Sequence, residues 1–146
     1  MRVNLHRALL IAVLAGMAAG AALRATDAAD RPGADEVWSV KKVMDKIHVG
    51  KQSLLSVLNK DLRKAEPDWK SDEKNLTEII RLMSMLTRQK PPRGGQEAWD
   101  KLVQDYVHGA KAARQNVKEH RLQPARAALE KVISTCDECH DNHGIK

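Results

Sequence analysis

Apolar residues recur along most of this chain at steps of three and four, the period of a helix with one buried face. The first run is Val37, Val40, Met44, Ile47, Leu54, Leu58 and Leu62. The spacing predicts a helix over residues 36–63, with Asp35 as its N-cap and Pro67 ending the segment. Gly50 sits inside the run, where glycine weakens a helix by ~1 kcal/mol relative to alanine. A close approach of another group at that turn would account for a glycine there.

A second stripe, Leu76, Ile79, Ile80, Met83 and Leu86, predicts a helix capped at Ser71. Asp72 and Glu73 would then face the positive end of its dipole. The stripe stops before Pro91-Pro92-Arg93-Gly94-Gly95, the clearest loop in the chain. Trp99, Val103, Tyr106, Ala110, Ala113 and Val117 predict a third helix over residues 96–119, whose alanines would admit a neighbour at close range. A fourth is predicted from Pro124, a residue suited to the first helical position, with Ala125, Leu129, Val132, Cys136 and Cys139 on its buried face. Strand signals are absent. Four amphipathic helices with short connections lead us to expect an all-α domain over residues 35–146, an antiparallel up-down-up-down four-helix bundle.

The start of the chain reads differently. Arg2, His6 and Arg7 precede an uncharged apolar run over residues 8–23, shorter than the ~20 apolar residues of a spanning helix, followed by small residues. Residues 1–25 are therefore expected to be a secretory signal peptide, cut after Ala21, Ala22 or Ala25, with an uncleaved anchor as the alternative; residues 26–34 would be a short tail. Export implies a periplasmic location and no stable membrane insertion after cleavage. The whole chain carries 25 basic and 19 acidic residues, +6; cleavage after Ala25 removes Arg2, Arg7 and Arg24 and leaves 22 against 19, or +3. Basic and acidic residues are interspersed and aromatics make up 3%, so a nucleic-acid partner is not expected.

The only two cysteines belong to Cys136-Asp137-Glu138-Cys139-His140. Cys-x-x-Cys-His is the attachment pattern of a c-type haem: two thiols add across two porphyrin vinyl groups, and the following imidazole binds the iron. One covalent haem c is thus expected, on Cys136 and Cys139, with His140 as proximal ligand. Two other readings stay open. A redox dithiol would want a preceding strand, and a zinc site would have to recruit His140 and His143 within eight residues. The two cysteines continue the buried stripe of the fourth helix, which would pack the haem against the other helices.

A haem motif near the C-terminus of a four-helix chain with an export signal resembles the class II c-type cytochromes, cytochrome c prime and its low-spin c556-type relatives. A methionine in the first helix, within the Met-Asp-Lys-Ile stretch at residues 44–47, adds to the likeness, which covers residues 36–143. The resemblance implies a protein that passes single electrons to redox partner proteins, performs no enzymatic reaction, and in some cases forms a homodimer through its first two helices. It implies that Met44 faces the distal side of the iron, as sixth ligand in low-spin members or as a cover in high-spin ones. His48, one turn on, is a rival distal ligand. The alternative function is a five-coordinate haem protein that binds NO or CO. Two departures weigh against it: high-spin members carry an aromatic and a basic residue where this chain has His143 and Gly144, and an arginine where it has Val40. Lys41 or Lys42 could pair with a haem propionate. His108, His120 and His143 are expected at the surface, and Trp38, Trp69 and Trp99 in core and helix-end packing.

Overall fold

A computed structural model of the protein describes residues 37–144. The expected signal peptide, tail and Asp35 cap lie outside the described residues. Five α-helices follow one another: α1 Val40–His48, α2 Leu54–Asp61, α3 Trp69–Met85, α4 Gln96–Lys118 and α5 Leu122–His143, with a 3₁₀ turn, Leu86–Arg88, after α3. Among the described residues every regular element is helical, and α2 to α5 pack antiparallel in a bundle-like arrangement.

The first helix expected over residues 36–63 is two helices. Ser39 caps α1 and Ser53 caps α2, each hydroxyl accepting from the backbone N–H three residues on at 3.3 Å. Between them Val49 is extended and Gly50 has φ +88°, the left-handed region that only glycine enters without strain. A Cβ at Gly50 would meet no atom within 4 Å. The glycine is there for its dihedral angle, and no close neighbour requires it. The up-down-up-down four-helix description is corrected accordingly to a bundle of α2–α5 with a short α1 before it.

Helix α3 starts two residues ahead of the expected Ser71. Asp68 is the cap and its carboxylate accepts from the Ser71 N–H at 3.0 Å. The Asp68 N–H in turn donates to Asp61 at the end of α2, at 2.6 Å. Helix α4 matches its expected span to within a residue. Helix α5 begins at Leu122, so Pro124 is its third residue, still inside the first turn, where a missing N–H costs no intrahelical bond.

The core holds Val43, Ile47, Leu58, Leu76, Leu82 and Trp99 among others. Helices α4 and α5 approach closely: Ala110 and Ala113 are fully buried, and a Cβ on Gly109 would stand 2.9 Å from Val132 Cγ2. Arg126 of α5 donates to the carbonyls of Leu62 and Lys64, at 2.5 and 3.2 Å, and ties the end of α2 to the bundle. No described helix is long and apolar enough to cross a membrane.

Candidate functional site

Helix α5 runs unbroken through the cysteine motif, so Cys136, Cys139 and His140 sit on one helical surface. They line a cleft with Met44 and His48 of α1, Met83 of α3, Leu86 of the 3₁₀ turn, Trp99, Leu102, Val103 and Tyr106 of α4, and Thr135 of α5. The cleft encloses about 340 Å³ of space outside the protein atoms, part of it open to solvent. No carboxylate, lysine or arginine is among the lining residues.

Both thiols are free. Cys139 is buried; Cys136 is half-buried and its Sγ lies 3.4 Å from the Val132 carbonyl it donates to. Burial, reinforced by Asp137 and by Cys139, pushes the Cys136 thiol up to about 12. Burial, then Glu138, raises Cys139 as well. The wall therefore presents two neutral thiols one turn apart.

His140 is exposed at the rim of the cleft. The His48 imidazole, also lining the cleft, is half-buried, its ring edge-on to Tyr106 at 5.9 Å and 84°. Burial, together with the charge of His140, lowers His48 to about 4, so at neutral pH its ring is uncharged with a free lone pair. Met44, one turn back on α1, is half-buried on the same wall. Tyr106 is buried with its hydroxyl lacking a partner, the one orphaned polar atom in this apolar lining. Burial raises its phenol well above the usual range, so it remains a neutral donor.

Two expectations change. His143 is fully buried, not at the surface. Its Nδ1 donates to the Arg93 carbonyl at 2.6 Å, and its ring stands edge-on to Trp99 at 5.2 Å. The 91–95 loop folds over the end of α5 and supplies that partner, so His143 braces a residue of the cleft. It does not join a zinc site with Cys136, Cys139 and His140: among the described residues no three His, Cys, Asp or Glu side chains converge on a metal position. The Arg93 guanidinium occupies the space that a Cβ on Gly144 would take, and Gly144 has φ +60° as the C-cap of α5.

His108 and His120 are exposed as expected, the latter stacked on Trp69 at 5.0 Å. Trp38 and Trp99 are buried, and the Trp99 indole donates to the Leu86 carbonyl at 3.0 Å. Lys41 pairs with Asp45 at 2.5 Å, and the Lys42 ammonium lies 4.2 Å from the Trp38 ring centre. Sequence reasoning missed Met83 as a cleft residue; its only signal was its place on the α3 stripe. Asp72 lies in the first turn of α3 as expected, but it is a buried carboxylate whose oxygens have no hydrogen-bond partner, which the sequence did not signal.

Comparison of the chain with protein-family models, with curated proteins and with solved structures finds no match in any of the three.

Proposed function

We propose that the protein is an exported, periplasmic c-type cytochrome of the class II kind, passing single electrons between redox partner proteins. The observation that carries this reading is the cleft: both cysteines and the histidine of the motif meet a methionine and a histidine of α1 across one apolar space. The residues fit a haem on three counts. The thiols are free and one helical turn apart, the lining is apolar, and the Tyr106 hydroxyl is a buried donor without a protein partner.

Cys136 and Cys139 would hold the group through thioether bonds and His140 would ligate the iron from the proximal side, with Met44 or His48 opposite. The bound haem supplies a one-electron ferric/ferrous couple. The protein's part is to fix both faces of the iron and to keep water from the apolar wall, which limits reorganisation on electron transfer.

The test is maturation in a host that attaches c-type haem. Wild-type protein is expected to keep its haem on a denaturing gel and to give a reversible one-electron redox titration. Cys136→Ser with Cys139→Ser is expected to lose covalent haem entirely. Wild-type protein that matures without haem refutes the reading. Rapid CO binding to a high-spin ferrous form, unchanged by Met44→Ala and His48→Ala, would favour the five-coordinate NO/CO-binding alternative.

A further inference from the structure

Met44, His48 and Met83 line the same cleft as His140. We infer that His48 is the distal iron ligand, giving the haem two axial imidazoles, with Met44 packing beside it. This rests on the covalent-haem reading above and departs from the methionine that the resemblance implied.

His48 is the last residue of α1, where the chain turns away through extended Val49 and left-handed Gly50. Its ring enters the cleft from a helix end, with no further helical turn beyond it to crowd the approach. Among the described residues neither ring nitrogen has a hydrogen-bond partner. Its nitrogens are not sealed in the core: they open on the cleft and are free to take a ligand. His143, by contrast, is fully buried with Nδ1 committed to the Arg93 carbonyl. His48 has its ring held at one edge by Tyr106 and nothing claiming its nitrogens. A metal bond satisfies one of them.

The methionines are weaker claimants. A thioether is a weak acceptor that fills apolar gaps without a polar partner, and neither Met44 nor Met83 is left unsatisfied by its position.

The test uses the haem-loaded protein matured as above and reads ligand identity from the ferric form, by electron paramagnetic resonance and near-infrared magnetic circular dichroism. The expected wild-type spectrum is low-spin with two nitrogen axial ligands and no sulfur-to-iron charge-transfer band. Met44→Leu should leave it unchanged. His48→Ala should become high-spin or acquire a sulfur band, and added imidazole should restore the wild-type signature. Replacing one imidazole by a thioether should raise the midpoint potential, so His48→Met should titrate above wild type. A wild-type sulfur band that is lost in Met44→Leu overturns the inference and leaves the cytochrome reading standing. A high-spin wild type overturns it as well. Wild-type protein without covalent haem overturns both. If His48→Ala yields no holoprotein, the wild-type and Met44→Leu spectra decide the question alone.

Discussion

Asp72 is a carboxylate buried in the bundle without a partner, and replacing it should stabilise the protein. It lies in the first turn of α3, 1% exposed, with neither carboxylate oxygen hydrogen-bonded. Burial raises it from 3.8 to about 7, and the neighbouring charges of Asp61 and Asp68 push the same way; Lys64 opposes them weakly. Asp61 holds the negative charge of the cluster, because Lys64 and the Asp68 N–H both stabilise its carboxylate and lower it. The folded state thus binds one more proton at Asp72 than the unfolded state does between pH 3.8 and about 7. Stability falls as pH rises through that window, and the full penalty is present above it. At about 1.4 kcal/mol per pKa unit the penalty is on the order of 4 kcal/mol. Water penetration and side-chain relaxation reduce it, and a domain of this size has only about 5–15 kcal/mol in total, so a gain of about 2–3 kcal/mol for Asp72→Asn at pH 8 is the working figure. The amide keeps the shape and can donate to Asp61. His48, lowered to about 4, contributes with the opposite sign below its ordinary 6.5, so the quantity to follow is the difference between variant and wild type. Urea denaturation at pH 5, 6, 7 and 8 measures it. The difference should be small at pH 5 and grow to its plateau by pH 8. A pH-independent difference, or an Asn variant less stable than wild type at pH 8, refutes the argument.

Other sites give sharper local tests. Gly50→Ala should cost about 1–2 kcal/mol in urea denaturation, because φ +88° places a Cβ in the left-handed region, and Gly50→Asn should cost less. His143→Ala should cost about 2–4 kcal/mol, since it opens a cavity against Trp99 and leaves the Arg93 carbonyl without its donor. Gly109→Ala should destabilise in the wild type, where the new methyl meets Val132 Cγ2 at 2.9 Å, and should stabilise by up to ~1 kcal/mol in a Val132→Ala background. That change of sign is read from a double-mutant cycle on thermal midpoints.

The stripes of α4 and α5 were legible because each runs without interruption and every step falls on the buried face. The cysteines could be placed on the α5 wall for the same reason. The break at Gly50 was visible only as a weak point: a glycine in a helical stripe costs ~1 kcal/mol and is often tolerated, and its positive φ is a property of the folded chain. The start of α3 moved because Asp68 and Ser71 are both good caps, and what selects Asp68 is a hydrogen bond from its N–H to Asp61, a contact between helices. His143 was misplaced because its burial depends on Arg93, 50 residues away. A polar residue near a helix end reads as exposed until a loop is known to cover it.

The broken first helix also explains how Met44 and His48 are held at the cleft. Helix α2 is fixed to the bundle by buried Leu58 and Leu62 and by the Arg126 bonds to the carbonyls of Leu62 and Lys64. Within α1 only Val43 and Ile47 are fully buried, each worth about 1.5–3 kcal/mol. Buried Trp38, just before it, adds a contact from its carbonyl to the Gln89 side chain. The turn at Gly50 separates these two regimes. A continuous helix over residues 36–63 would have fixed Met44 and His48 in the frame of α2, and any adjustment at the cleft would have strained the Arg126 clamp. With the chain turned at Gly50, Met44 and His48 are held by the α1 contacts of Val43 and Ile47, while α5 carries Cys136, Cys139 and His140 within the α2–α5 bundle.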